Sequence, residues 1–154
     1  MRLPRAAEPF VAALRAVVDP ISAAPAGALL RGDLESLTPA AVLVPVVLAE
    51  EGPELLFTVR NSRLRRHPGQ ISFPGGGFEE ADGNLLTTAL RESLEEIGLR
   101  PEDVEIVGTL DDTVTVTSRH VVRPFVGIVP HPYAYRLDPF EIERLIHLPI
   151  SALL

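Results

Sequence analysis

Three glutamates, Glu92, Glu95 and Glu96, lie close together in a segment whose pattern predicts a helix from Leu85 to Ile97. At about 100° per residue they cluster on one side of that helix, and its leucines fall on nearly the opposite side. Like charges at this spacing cost roughly 0.2–0.5 kcal/mol per pair, and the helix dipole disfavours acids toward the C-terminal end. The cluster is therefore a poor device for stability.

Carboxylate oxygens that converge on one spot are the hard ligands that Mg²⁺ or Mn²⁺ requires. Two such ions could clamp a diphosphate and lower the pKa of an attacking water. The alternative is a solvated acidic face on which Arg91 pairs with Glu95. The helix considered alone leaves both interpretations open.

A glycine-rich stretch, Pro74-Gly75-Gly76-Gly77, precedes the helix, separated from it by an acidic segment at residues 79–82. Glycines let a backbone approach a metal ion or a phosphate closely. Gly98 follows the helix and is expected at its C-cap. The glycines and the acidic helix therefore favour a site over a merely solvated face.

Residues 76 to 99 resemble the Nudix box, whose pattern is G-x5-E-x7-R-E-U-x-E-E-x-G-U with U an aliphatic residue. The second half of the pattern matches at Arg91, Glu92, Glu95, Glu96, Gly98 and Leu99. Ser93 stands where an aliphatic residue is usual. Strict spacing puts Gly83 at the early glutamate, and a one-residue insertion instead gives Asp82 that role, with Gly76 as the opening glycine.

This resemblance implies an α/β (α+β) Nudix fold, a mixed β-sheet sandwiched between helices. It also implies metal-dependent hydrolysis of a diphosphate bond with Mg²⁺ or Mn²⁺ as cofactor. The implied metal ligands are Glu92, Glu95, Glu96 and Gly76. Arg91 is implied to be catalytic together with the three glutamates.

Upstream, residues 56–76 resemble the signature of the coenzyme A diphosphatase branch of this family, L-L-T-x-R-[SA]-x3-R-x3-G-x3-F-P-G-G. The matching residues are Leu56, Thr58, Arg60, Arg65, Gly69, Phe73, Pro74, Gly75 and Gly76. Phe57 replaces the second leucine, and Asn61 replaces serine or alanine. The resemblance to this branch covers roughly residues 40 to 150.

The arginine loop, residues 61–70, follows Arg60 and supplies a local cationic patch in an otherwise acidic protein. The resemblance implies hydrolysis of coenzyme A or its thioesters to 3′,5′-ADP and 4′-phosphopantetheine or its acyl form. The residues expected to bind this substrate are Arg60, Arg65, Arg66, Gly75 and Gly76. A solubilising basic loop remains the alternative, above all for Arg63 and Arg66, and His67 is interpreted as a hydrogen-bonding loop residue.

Glu141 matches a position at which members of the family carry a glutamate after the last long strand. It is a candidate general base or additional ligand, or else an acid favoured by the dipole at the start of a helix. The segment from Asp138 to His147 is predicted to be that helix, with Asp138 as N-cap. Asp111 and Asp112 are interpreted as a turn, with metal contact as the alternative.

Other elements follow from hydrophobic periodicity. A helix is predicted from Ala6 to Val18, and Asp19 to Pro39 is interpreted as a connecting segment, so residues 1–39 comprise an N-terminal helix and a connection. Strands are predicted at 41–49, 55–60, 104–110 and 120–129, with Pro45 indicating an irregularity or an edge. All 154 residues are assigned to one domain, for which the branch's relatives predict a longer C-terminus, so this chain is either short or truncated.

Composition narrows the class of protein. A net charge of −7 argues against general binding of nucleic acid or an anionic membrane surface. There is no cysteine, which excludes thiol chemistry, and no apolar run reaches the roughly 18 residues of a membrane span. We expect a cytoplasmic protein with a small-molecule substrate, and a homodimer is left open.

Two other functions compete with coenzyme A hydrolysis. One is a Nudix hydrolase of another diphosphate, such as ADP-ribose, NADH or an oxidised nucleotide. The other is a catalytically inactive Nudix domain that senses a ligand, although a pure binder has no need of three mutually repelling glutamates.

Overall fold

A computed structural model describes residues 5–21 and 36–154. Within these ranges the helices are α1 (Glu8–Val17) and α2 (Leu85–Ile97), and neither is long and apolar enough to cross a membrane. The strands are β1 (Thr38–Ala49), β2 (Gly52–Arg60), β3 (Ile71–Ser72), β4 (Gly75–Gly77), β5 (Glu105–Thr109), β6 (Thr113–Thr115), β7 (His120–Val129) and β8 (Ile142–Pro149). Most of the predicted connecting segment lies outside the described residues.

The strands form one mixed sheet, as predicted, with the order β3-β2-β1-β7-β5. Its centre is β1, which runs parallel to β7 and antiparallel to β2 and β4. The remaining strands extend this centre, because β8 pairs with β2 and β6 pairs with β7. Because β2 and β4 both pair with β1, the glycines of β4 and strand β2 lie on the same side of this central strand.

A helix covers each face of the sheet. Successive side chains of a strand point to opposite faces, so alternate residues of β1 contact different helices. On β1, Leu43 and Val47 pack in one core with Ala89 and Ile97 of α2. Val44 and Val46 pack in a second core, against which Phe10 and Leu14 of α1 lie. The two cores therefore hold the sheet between α1 and α2.

Pro45 is fully buried in the central strand, so the expected edge position is wrong. The expected irregularity is present, because β1 changes its antiparallel partner around this residue. Residues 40–42 pair with β4, whereas residues 46–49 pair with β2. Between them, the Leu43 N–H donates to the Pro74 carbonyl at 2.8 Å. A proline, which has no N–H, is tolerated at such a break in the ladder.

The helix predicted from Asp138 to His147 is wrong, because the chain makes a turn and then strand β8. Asp138 does cap a backbone N–H, that of Phe140 at 2.9 Å, but the cap opens a turn. From Ile142 onward the segment pairs with β2 in antiparallel register. Sheet hydrogen bonds that only the tertiary structure offers have overridden a local helix signal.

Candidate active site

Helix α2 carries the acidic cluster and is capped at both ends, with Gly98 at the C-cap as predicted. The Asn84 side chain accepts a hydrogen bond from the Thr87 N–H at 2.8 Å, and Gly98 adopts the left-handed conformation at the C-cap. The buried face consists of Thr88, Ala89, Ser93, Glu96 and Ile97.

The leucines of α2 are not all buried, which corrects the expectation from periodicity. Leu94 is 43% exposed, whereas Ser93 is fully buried and its hydroxyl donates to the Ala89 carbonyl at 2.7 Å. Small side chains on the buried face allow α2 to lie close to the sheet. Glu96 is thereby drawn inside, with an exposure of 6%.

Strand β4 brings two glycines against β1 and α2. A Cβ on Gly75 would lie 2.3 Å from the Ala41 carbonyl oxygen, and a Cβ on Gly76 would lie 2.5 Å from Glu92 Oε1. Gly77, by contrast, faces open space. The first two glycines are therefore required by close approach, and Gly76 lies directly against a carboxylate of the site.

Arg91 ties the glycine strand to the helix. Its guanidinium binds Asp82 through two hydrogen bonds of 2.7 and 3.1 Å and donates to the Gly77 carbonyl at 3.3 Å. It also donates to Glu92 at 3.0 Å and to Glu95 at 3.3 Å. These contacts place Arg91 inside a network that orients the glutamates.

Asp82 is the residue that takes the place of the early glutamate of the Nudix box if one residue is inserted in the pattern. Its carboxylate is almost fully shielded and also accepts hydrogen bonds from the Thr88 hydroxyl and the Glu79 N–H. The hydrogen bond from Arg91, together with these donors, holds the pKa of Asp82 well below its usual range. Asp82 is therefore an ionised anchor for Arg91.

Glu92, Glu96 and Glu141 lie within electrostatic reach of one another. Burial, with the nearby charges of Glu92 and Glu141, raises the pKa of Glu96 to about 8. Burial also raises the pKa of Glu92, against the opposing hydrogen bond from Arg91. The charge of Glu95 also raises the pKa of Glu92, although the Glu95 side chain is 58% exposed. The structure thus brings two of the three helix glutamates together with Glu141.

Glu141 reaches this cluster through the segment between β7 and β8, which crosses the C-terminal end of α2. The Arg136 N–H donates to the Ile97 carbonyl and the Asp138 N–H donates to the Glu96 carbonyl, both at 2.9 Å. A Cβ on Gly98 would lie 2.8 Å from the Arg136 Cβ, so this close crossing depends on a glycine. The helix's last carbonyls are thereby satisfied.

Arg60, at the end of β2, contributes positive charge to the cluster and opposes the raised pKa of Glu96. Its Nε is buried and lacks a hydrogen-bond partner within residues 5–21 and 36–154. The arginine loop begins next to it and is closed by hydrogen bonds between the backbones of Arg60 and residues 69 and 70. Arg65 and Arg66 lie exposed on this loop.

The carboxylate oxygens of this site suit a hard divalent cation, because such an ion would neutralise their like charges when they are ionised. In the described part of the chain, no three His, Asp or Glu side chains stand as a complete ligand set. Glu92 is instead hydrogen-bonded to Arg91. An ion would therefore have to draw the glutamate side chains together.

Two interactions were not predicted from the sequence. Asn61, which departs from the coenzyme A signature, bridges the arginine loop and the segment that carries Glu141. Asp112 forms a two-pronged ion pair with Arg123 of β7, at 2.9 Å for each contact. Asp112 lies between β5 and β6 whereas Arg123 lies on β7, so no local sequence pattern indicates this ion pair.

The structure thus places a mixed sheet between two helices and sets a glycine strand against an acidic helix. Residues 37–144 match the family model described as NUDIX domain. The chain therefore belongs to the Nudix family.

Curated relatives carry the same family name. The chain is 44% identical over 112 residues to an uncharacterized Nudix hydrolase NudL of Enterobacter sp. (strain 638), covering 73% of this chain and 57% of that protein. It is 40% identical over 122 residues to the protein of that name from Citrobacter koseri, covering 79% and 62%. The chain thus spans about three fifths of the length of these relatives.

Solved structures agree on the fold. A Nudix hydrolase from Alicyclobacillus acidocaldarius superposes with a TM-score of 0.64 at 21% identity, covering 76% of this chain and 81% of that one. An Ap4A hydrolase complex from C. elegans gives 0.63 at 18% identity, covering 73% and 80%. At these identities the likeness concerns architecture alone.

Proposed function

We propose that this protein hydrolyses a diphosphate bond with the help of a divalent metal ion. One observation carries the proposal: Glu92, Glu141 and Arg60 all lie within electrostatic reach of Glu96, which is buried. Buried like charges are costly to a fold unless a cation or a proton compensates them. A site that tolerates this cost suits a cation and a polyanionic substrate.

The roles divide by position. Glu92 and Glu96, with Glu95 and the Gly76 backbone, are the candidate ligands of Mg²⁺ or Mn²⁺. Such ions would neutralise the charge of the diphosphate and lower the pKa of the attacking water.

The remaining roles belong to groups around this centre. Glu141 is exposed to solvent beside the buried carboxylates, a position suited to accepting a proton from that water. Arg91 keeps Glu92 and the glycine strand in register through Asp82, and so acts mainly by positioning. Arg60 faces the same cluster and would contact a phosphate oxygen of the substrate.

We further infer that the substrate is coenzyme A or an acyl-CoA. Support comes from the unbroken spacing of the arginine signature and from the position of the arginine loop beside Glu141. Coenzyme A carries a 3′-phosphate in addition to its diphosphate, and exposed guanidinium groups at Arg65 and Arg66 suit that second anionic group. The products would be 3′,5′-ADP and 4′-phosphopantetheine or its acyl form.

The proposal also covers the cellular compartment, the domain organisation and the oligomeric state. It places the protein in the cytoplasm, where such a substrate is available, and treats residues 1–154 as a single catalytic domain. A homodimer remains compatible with it.

A substrate panel with Mg²⁺ and with Mn²⁺ tests this function. Coenzyme A, dephospho-coenzyme A, ADP-ribose, NADH and an oxidised nucleotide would be compared by kcat/KM, with products separated by chromatography. Release of 3′,5′-ADP at the highest kcat/KM supports the proposal. A preference for ADP-ribose or another nucleotide would reassign the substrate, and binding without turnover would indicate a ligand-sensing domain.

A further inference from the structure

Asn61 stands where the arginine loop meets the Glu141 turn, which comprises residues 138–141. Its backbone N–H donates to the Glu141 carbonyl at 2.8 Å, and its side-chain Nδ2 donates to the Pro139 carbonyl at 3.0 Å. Its Oδ1 accepts from the Arg63 N–H at 2.9 Å, and its carbonyl accepts from the Leu64 N–H at 3.2 Å. Two of these bonds hold the turn and two hold the loop.

Asp138 connects the Glu141 turn to the acidic helix α2. The Asp138 N–H donates to the Glu96 carbonyl at 2.9 Å, and the Asp138 carbonyl accepts from the Ile142 N–H at 2.8 Å and the Glu141 N–H at 3.2 Å. The Asp138 side chain accepts from the Phe140 N–H. A continuous set of hydrogen bonds therefore runs from the arginine loop, through Asn61 and the turn, to the backbone of Glu96.

We propose that Asn61 is a positioning residue that fixes Glu141 relative to the arginine loop. Its primary amide can donate and accept at once, which is what a bridge between a carbonyl and an N–H requires. A serine or alanine, which the coenzyme A signature has at this position, offers a shorter side chain or no polar group at all. This inference rests on the proposed function in one respect: a kinetic effect requires Glu141 to take part in the reaction.

The sharpest variant is Asn61→Asp, which keeps the acceptor for the Arg63 N–H and removes the donor to Pro139. Asn61→Ala removes both. We expect Asn61→Asp to lower kcat roughly threefold to tenfold, the range that loss of one hydrogen bond gives, with a smaller change in KM. Ser62→Ala, an exposed neighbour in the loop, is the control and should leave both parameters unchanged.

Combination with Glu141→Gln separates positioning from general stability. If Asn61 acts through Glu141, Asn61→Asp should lower kcat no further in the Glu141→Gln background. Multiplicative losses in the double variant would overturn the proposal, because they would show that Asn61 acts independently of Glu141.

Amide hydrogen exchange of the full chain tests the same bridge without any turnover. In Asn61→Asp, exchange at Phe140, Glu141 and Ile142 should rise about threefold to tenfold, while the Arg63 amide stays protected. In Asn61→Ala, all four amides should exchange faster, and amides of the central strand β1 should not change in either variant. Unchanged exchange in the turn would overturn the positioning role of Asn61. If the wild-type protein were inactive but the variants showed this exchange pattern, only the proposed diphosphatase function would be refuted.

Discussion

Glu96 is buried and Glu92 is partly buried, and burial favours the protonated form of each by raising its pKa. Replacing either with glutamine should lower kcat by at least ~10²-fold, because a ligand that stabilises developing charge is lost. Without metal at alkaline pH, where both carboxylates are ionised, the thermal midpoint should stay level or rise, since like-charge repulsion falls. Steady-state kinetics and thermal unfolding measure both, with Glu50→Gln in an exposed turn as control. Near-full turnover at saturating Mg²⁺ would end the case for these ligands.

Glu96 also predicts how stability depends on pH. Between its ordinary pKa of 4.5 and its raised pKa of about 8, the folded protein keeps a proton that the unfolded chain has released. Stability without metal should therefore fall as pH rises through this window, by about 2–4 kcal/mol in total. Chemical unfolding in chelator at pH 5 and pH 8 measures the slope.

Two comparisons isolate the contribution of Glu96 to that slope. Glu96→Gln should flatten it, and Mg²⁺ should stabilise the wild type most at pH 8, where the carboxylate is readily ionised. A slope that is the same in the wild type and Glu96→Gln would mean that another group titrates.

Among the elements, the glycine strand β4 offers a matched pair of substitutions. Gly76→Ala places a Cβ against Glu92 Oε1, the movable end of a side chain, so the fold should survive while the carboxylate shifts. Because small misplacements in an active site are costly, kcat should fall ~10- to 100-fold. Gly77→Ala, with nothing within 4 Å of its Cβ, should change kcat by less than about twofold. Equal effects of the two variants would remove Glu92 placement as the cause.

The arginine loop should act mainly on binding. Arg65→Ala, and Arg60→Ala beside the loop, should each raise KM for coenzyme A more than they lower kcat, since a phosphate contact made equally in the ground state and the transition state contributes uniform binding. The loss of a charge-assisted contact, about 1.5–3 kcal/mol, corresponds to roughly 10- to 100-fold.

Arg63→Ala, which lies off the signature, serves as the control within the arginine loop. Comparison with dephospho-coenzyme A then identifies the group that is contacted. If both substrates lose equally, these arginines do not read the 3′-phosphate, although they could still hold the diphosphate.

For the whole molecule, the position of Glu141 depends on the pairing of β8 with β2 and on the crossing of the helix end. If Glu141 is the base, Glu141→Gln should lower kcat by ~10²–10⁴-fold and leave metal affinity nearly unchanged. Activity of the wild type should rise toward alkaline pH as the attacking water loses its proton, and Mn²⁺ should shift this rise to lower pH. A loss of less than about threefold would remove Glu141 from the mechanism.

The sequence by itself determined the features that depend on local spacing. Helix α2 has the predicted bounds from Leu85 to Ile97, with Gly98 at its C-cap, and β7 has the predicted bounds from His120 to Val129. The spacing of the glutamates and Arg91 was enough to identify the family, which the comparison over residues 37–144 confirms. These features follow from hydrogen bonds and hydrophobic periods within a single segment.

Only the tertiary structure decided which charges are buried and which elements meet. Periodicity placed all three helix glutamates on one face, but the packing of α2 against the glycine strand buried Glu96 and left Glu95 exposed. Asp138 is a typical residue at the start of a helix, but the residues from Ile142 onward pair with the edge of β2 and form strand β8 instead. The link from Asn61 to Glu141 joins residues that are distant in sequence, so no local pattern could reveal it. Burial and pairing depend on which surfaces the completed sheet brings together, and that information is spread over the whole chain.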